Sequence, residues 1–305
     1  KAPLAPGSAG SGTAEAWFLD NRALYDRPSL YNQLDDAARF SFFSRAAAEL
    51  FRAPPDGRRF DVLHANDWQA ALAPVHLKLL RQRDPSLAGL GSVFTIHNLA
   101  YQGVFPAESF PLTGLSWDHF NMRELEFWGQ LNFLKGGLLF ADVVNTVSEK
   151  YAKEILTAQY GAGLDGVLAE RGAGVQGVLN GVDVDDWNPE TDRRIAARYS
   201  AEKPGGKEIC REALLREAGL PRGNDVPLIG IIGRLAAQKG VDLIEARLPK
   251  ILERARVVLL GSGDAGYEEA FRAAARKQPD RLSARIGYDE DFAHRIEAGA
   301  DMLLM

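Results

Sequence analysis

The stretch Pro227–Gly240, PLIGIIGRLAAQKG, decides the fold. Its first part, Leu228–Gly233, is a short apolar, β-branched run bounded by proline and glycine, which predicts a strand. The run is apolar at successive positions rather than alternating. Both faces are therefore expected to be buried, as in a parallel sheet with helices on each side. Arg234 and Lys239 follow just past the strand's carboxyl end, where open α/β sheets bind ligands. Two cations at that place point to an anionic ligand. The competing account, solvated surface charges, weakens for an arginine that ends a buried strand and so needs a partner.

The same grammar extends in both directions. Strands are expected at Asp61–Ala65, Ser92–His97, Asp142–Ser148 and Val175–Asn180, and again at Leu228–Gly233, Arg256–Leu260, Leu282–Tyr288 and Asp301–Met305. Helical periods lie between them at Leu30–Arg52, Trp68–Gln82, Lys207–Gly219, Val241–Ala255 and Tyr267–Gln278. Alternating β and α units predict a doubly wound α/β architecture. The polar segment Val182–Pro221 separates two such series, so a domain spanning 1–181 and another spanning 182–305 are expected. The small-residue start, Lys1–Ala16, reads as a loop or linker. ADMLLM, Ala300–Met305, reads as a strand with no helix after it, so the chain is expected to be truncated.

Composition narrows the chemistry. With 305 residues, 46% of them hydrophobic and 25% charged, the chain has the make-up of a globular protein with one or two domains. A single cysteine, Cys210, rules out a disulfide framework or a zinc–cysteine cluster. The net charge of −5 gives nucleic acid or an anionic membrane no general attraction. No apolar run approaches spanning length. An anionic ligand would need a local concentration of cations, which makes Arg234 and Lys239 the more informative.

Nearly every predicted strand ends in a hydrogen-bonding or ionisable group. Each also has a plain structural account. Asp67 suits an N-cap. His64 and His97 suit core histidines, and Asn180-Gly181 a left-handed turn. Asp183–Asp186 and Tyr288–Asp291 read as solvated loops. GSGDAG, Gly261–Gly266, has the spacing of a dinucleotide fingerprint after a strand, with Asp289 as the downstream acid. It lies late in the chain, however. It fits better as a loop bringing phosphate or ribose to a helix N-terminus.

Eight motifs in order carry a specific resemblance: HANDW (His64–Trp68), HNLAYQG (His97–Gly103), EFWGQLNFLKGG (Glu126–Gly137), NTVSEKYAKEI (Asn145–Ile155), YGAGLDGVL (Tyr160–Leu168), LNGVDVDDWNP (Leu179–Pro189), GRLAAQKGVDL (Gly233–Leu243) and LLGSGD (Leu259–Asp264). Together with Phe18–Tyr31, they resemble the bacterial glycogen synthase and starch synthase family from about Ala16 to Met305. The resemblance implies a GT-B fold, two Rossmann-like doubly wound lobes with a cleft between them, the first on the acceptor side and the second on the nucleotide-sugar side. It implies transfer of glucose from ADP-glucose to the non-reducing end of an α-1,4-glucan with retention, with no cofactor and no metal. UDP-glucose as donor, or a non-catalytic nucleotide- or glycan-binding role, are the alternatives.

By motif match, Arg234 and Lys239 would hold the donor diphosphate. His97 would contact the transferred glucose, and Asp67 would bind the sugar or hold His97. Asn98, Tyr101, Asn180, Gly181, Gly233, Gly263 and Asp264 would line the substrate site, and Trp68 and Trp128 would stack on glucan or pack in the core. The family's K-x-G-G-L loop and E-x7-E segment are not among these residues, so both lobes are expected to be incomplete and turnover by this chain alone is not expected. A bacterial cytoplasm, or a plastid, is the implied compartment.

Overall fold

The computed structural model describes residues 2–3, 15–27, 30–171, 174–223 and 225–305. Among these, residues up to Gly181 form one compact unit and residues from Val182 a second. Most of the predicted N-terminal loop lies outside the described residues; of its remainder, Ala2–Pro3 pairs antiparallel with Glu15–Ala16. The fold is α/β, with a parallel sheet in each unit.

All eight predicted strands are present, the last as a short pair of residues. In the first unit β1 (Val62–Asn66), β2 (Gly91–Ile96), β3 (Val143–Thr146) and β4 (Val175–Gly177) lie side by side in that order, all parallel. Helices α1 (Asp36–Arg52), α2 (Leu72–Arg83) and α3 (Phe133–Phe140) contribute to its core. Asp142 fastens the amino ends of the sheet. Its two oxygens accept from Arg81 at 3.0 and 2.7 Å, and Oδ2 also accepts from the Ser92 N–H and hydroxyl. The Arg81 guanidinium, with Ser92, holds this carboxyl down to about 2.

The first sheet departs from the predicted two-sided burial. Leu63, Ala65, Phe94, Ile96 and Val144 enter one apolar cluster. The alternate positions carry His64, Thr95 and Asn145, joined as His64 Nε2 to Thr95 Oγ1 at 2.6 Å and Thr95 Oγ1 to Asn145 Oδ1 at 2.5 Å. On that face Val62 and Val143 are exposed. The strand β1 reads Val-Leu-His-Ala-Asn, an alternation that belongs to a half-covered sheet. His64 is accordingly exposed, not a core histidine.

The second unit does bury both faces. Its order is β7 (Leu282–Ile286), β6 (Arg256–Gly261), β5 (Leu228–Ile232), β8 (Met302–Leu303), all parallel. Every residue of β6 is buried. Val257 and Leu259 pack with helices α5 (Val241–Arg254) and α6 (Ala265–Lys277). Val258 and Leu260 pack on the other side with α4 (Gly205–Glu217) and α7 (Glu290–Gly299). Asp301 ties β5 to β8, accepting from the Leu228 N–H at 2.7 Å and from the buried Arg211.

The chain runs from β5 to β6 to β7 in one direction and then returns to place β8 on the other side of β5. Such a reversal opens a crevice at the carboxyl ends of the two strands where it occurs, the place where doubly wound sheets take their ligands.

His76, on α2, is buried and its Nε2 has no hydrogen-bond partner among the described residues. Burial, reinforced by the nearby Arg45, lowers its pKa to about 4. The unfolded imidazole, at about 6.5, takes up its proton first as pH falls. Stability from keeping His76 neutral is thus complete above pH ~6.5 and is lost as pH drops towards 4, about 2 kcal/mol of it by pH ~5. Urea unfolding at the two pH values should show this loss in the native chain and not in His76→Gln; an equal loss in both would contradict the assignment.

Candidate active site

In the first unit, β1 and β2 are neighbours, and their carboxyl ends bring HANDW against HNLAYQG. Asp67 stands at a φ of +54°, a left-handed conformation unusual outside glycine. Its carboxylate oxygen accepts the His97 backbone N–H at 2.8 Å. The His97 ring is held separately, Nε2 lying 3.0 Å from Asn66 Oδ1. Asp67 is therefore not the N-cap: it begins the short helix Asp67–Ala70, and Asn66 occupies the cap position. A strained backbone fastened by a side chain to the next strand's loop is a common way for a site to hold a group in place.

His97 itself is exposed. The loop that follows is pinned along its length. Asn98 Oδ1 accepts from the Ala100 N–H, the buried Leu99 donates its N–H to the Tyr151 hydroxyl, and Gln102 bonds to the Ala162 carbonyl and to Asn132. Tyr101, between these anchors, stands 54% exposed. Lys135 stabilises the neighbouring segment, its buried ammonium donating to the Met122 and Glu126 carbonyls at 2.6 Å each. Burial lowers its pKa.

Asn180 and Gly181 follow β4, at the far edge of this sheet from β1, and are exposed. Neither adopts positive φ, so they do not form the left-handed turn that the dipeptide suggested. Trp68 lies in an aromatic core with Phe40, Phe105 and Phe133, which removes it from any stacking role. Trp128 is 85% exposed, at the bend between the antiparallel strands Glu126–Phe127 and Gln130–Asn132.

In the second unit the loops after β5 and β6 run together beyond the sheet. Gly233 N–H donates to Leu260 O, Leu235 N–H to Ser262 O, and Asp264 N–H to Leu235 O, at 3.1, 2.9 and 2.8 Å. The ladder thus continues past the strands, and it needs glycine on one side. A Cβ at Gly261 would lie 2.1 Å from the Gly233 carbonyl oxygen, and one at Gly263 would lie 2.3 Å from that of Leu235. Arg234 emerges between these contacts. Lys239 ends the 3-10 turn Ala237–Lys239 that leads into α5.

Both cations are exposed, and neither side chain has a hydrogen bond or ion pair among the described residues. The premise that Arg234 needs a partner because it ends a buried strand fails, since its side chain is not buried. Two further helix N-termini sit at this edge. Asp264 caps α6, its Oδ1 accepting from the Gly266 N–H, and Asp289 caps α7, accepting from the Phe292 N–H. Asp289 is also paired with Arg285 at 2.8 Å, so the acid expected for a ribose in the dinucleotide reading is already engaged. Glu268, which no motif singled out, accepts the Gly263 N–H at 2.9 Å.

The predicted residues therefore form two groups. Asp67, His97, Asn98 and Tyr101 share one loop cluster of the first unit, with Asn180 and Gly181 at that unit's far strand. Gly233, Arg234, Lys239, Gly263 and Asp264 share the carboxyl edge of the second. The second group offers unpaired positive charge, backbone N–H groups and helix N-termini at a topological reversal, which is what an anionic group requires.

Known proteins agree with this architecture. The sequence pattern of the starch synthase catalytic domain matches residues 7–170. A glycogen synthase of Anaeromyxobacter sp. (strain Fw109-5) is 52% identical over 292 residues, covering 95% of this chain and 61% of the relative. A glycogen synthase of Koribacter versatilis is 48% identical over 300 residues, with 95% and 60% covered. The chain thus spans about three fifths of the length of these relatives. Among solved structures, the catalytic domain of Starch Synthase IV from Arabidopsis thaliana bound to ADP and acarbose matches with a TM-score of 0.84 and 35% identity, over 91% of this chain and 57% of that one. With more than half its residues matched by the family pattern, this chain belongs to the starch synthase catalytic domain family.

Proposed function

We propose that this chain serves an ADP-glucose-dependent glucosyltransferase that extends an α-1,4-glucan at its non-reducing end with retention of configuration. The observation that carries the reading is the free pair of cations, Arg234 and Lys239, past β5 at the reversal of the second sheet. The ADP in the Arabidopsis structure supports the choice of nucleotide, and the names of the relatives support the choice of glucan.

In this reading the bond between the glucose anomeric carbon and the diphosphate breaks, and its electron pair goes to the leaving phosphate oxygen. Arg234 offers that oxygen a planar fork and Lys239 a point charge. Charge grows on the phosphate as the bond breaks, so fixed cations stabilise the transition state more than the bound donor. The acceptor hydroxyl forms the new bond to the anomeric carbon and passes its proton to the leaving phosphate. His97, positioned by Asp67 and Asn66, contacts the glucose being moved. Tyr101, Asn98, Asn180 and Gly181 contribute to the sugar side, and Gly233, Gly263 and Asp264 to the nucleotide side. Neutralisation of the diphosphate by side chains assigns no part to a metal. Among the described residues no helix is long and apolar enough to cross a membrane, and a bacterial cytoplasm is the proposed setting.

The test pairs binding with transfer. ADP-glucose should displace bound ADP from the chain at least tenfold better than UDP-glucose does, and the protein that carries this chain should incorporate label from ADP-glucose into glycogen. Equal or stronger displacement by UDP-glucose would reassign the donor. Binding with no incorporation would favour a nucleotide- or glycan-binding role.

A further inference from the structure

The two acidic runs that read as solvated loops, Asp183–Asp186 and Tyr288–Asp291, are brought to the same histidine. His294, on α7, is 2% exposed. Its Nδ1 lies 2.8 Å from Asp192 Oδ2, across 102 residues of chain, and Asp192 is itself buried. Its ring stacks on Trp187 with centroids 3.7 Å apart and planes 11° from parallel. The ring is thus fixed in place and covered on one face. Its other nitrogen, Nε2, is buried and has no hydrogen-bond partner among the described residues.

That nitrogen faces Asp186. The Nε2–Oδ2 separation is 3.7 Å, too long for a hydrogen bond. It is close to that of two donors on a shared ion, since bonds of about 2.0–2.2 Å at tetrahedral angles place donors roughly 3.3–3.6 Å apart and a slightly wider angle gives the rest. A Glu290 carboxylate oxygen completes the group, the three donor atoms lying within 4.8 Å of one another. Asp186 is oriented for the task because Arg194 Nη1 holds its other oxygen at 2.6 Å. A carboxylate on Nδ1 that leaves Nε2 free is the usual support of a metal-bound imidazole.

We infer that Asp186, Glu290 and His294 form a binding site for a divalent first-row metal ion, with Zn2+ the ion best suited to one imidazole and two carboxylates. Four carboxylates (Asp186, Asp192, Glu290 and Asp291) gather here, and among the described residues the one guanidinium ion-paired with any of them is that of Arg194. A bound dication relieves that excess. It would also fasten the segment that opens the second unit to α7, so its role is structural. The inference does not depend on the donor reading, because none of these residues belongs to the Arg234 and Lys239 loop.

Zn2+ titration of the 305-residue chain by calorimetry, with thermal melts in Zn2+ and in chelator, tests it. The native chain should bind one Zn2+ and melt higher with it. Asp186→Asn and Glu290→Gln should each weaken binding at least tenfold and abolish the rise in Tm. His294→Gln should do the same, and if that buried substitution prevents folding, the exposed Glu290 variant decides. Zn2+ binding of unchanged affinity in Asp186→Asn and Glu290→Gln would place the ion elsewhere and overturn the site. Absence of binding would overturn it too.

Discussion

Replacing Arg234 or Lys239 with alanine should weaken ADP binding by about 1.5–3 kcal/mol each, roughly ten- to 150-fold in affinity. The magnitude follows from the loss of a charge-assisted hydrogen bond to phosphate. The stability of the chain should barely change, because neither side chain has a partner to lose among the described residues. That combination separates a ligand-binding role from a structural one. Calorimetric titration with ADP, beside urea unfolding of the same variants, reads both quantities. Arg234→Lys should recover only part of the affinity, since an ammonium cannot engage two oxygens in the guanidinium's fixed geometry. Unchanged ADP affinity in both alanine variants would remove the anion site from this loop.

The second large effect concerns backbone. Gly261→Ala places a methyl carbon 2.1 Å from the Gly233 carbonyl oxygen, and Gly263→Ala places one 2.3 Å from that of Leu235. The obstacles are main-chain atoms of a hydrogen-bonded ladder, which cannot swing aside as a side chain does. Each substitution should cost about 3 kcal/mol of stability, or displace the loop that carries Arg234 and lose most of the ADP affinity. Gly205→Ala, in the same unit with nothing within 4 Å of the added carbon, is the control and should be near neutral. A Gly261 variant as stable and as tightly binding as the native chain would contradict the described contact between the two loops.

The parts of the fold visible in sequence were those governed by local pattern. Leu228–Ile232 and Arg256–Gly261 stand out because burial on both faces leaves no polar position to interrupt them. The antiparallel strands Val104–Pro106, Glu126–Phe127 and Gln130–Asn132 do not, being two or three residues long and broken by Trp128 and Gly129. Helix α3, Phe133–Phe140, is apolar at every position but Lys135 and its two glycines, because it is enclosed in the core. Helix α7 was hidden behind the glycine and charged residues that precede it.

The candidate site followed the same division. Strand-end residues such as Arg234 and His97 could be found because a parallel sheet places its functional groups there. Burial and partnership could not be read. That Trp68 is core, that His64 is exposed, and that Asn66 and Glu268 hold His97 and Gly263 all depend on which elements meet. His294 is the extreme case. Nothing near it in sequence announces Asp186 or Asp192, and only the packing of α7 against the segment after Gly181 brings them to its two nitrogens.

A nucleoside diphosphate is proposed to sit at the carboxyl edge of the second sheet. Backbone amide chemical shifts of the 305-residue chain, recorded while ADP is added, test it residue by residue. The largest shifts should fall at Gly233 to Gly240 and at Gly263 to Ala265, and should be lost in the Arg234→Ala, Lys239→Ala double variant. Saturable shifts that leave both loops untouched, or that persist unchanged in the double variant, would contradict it.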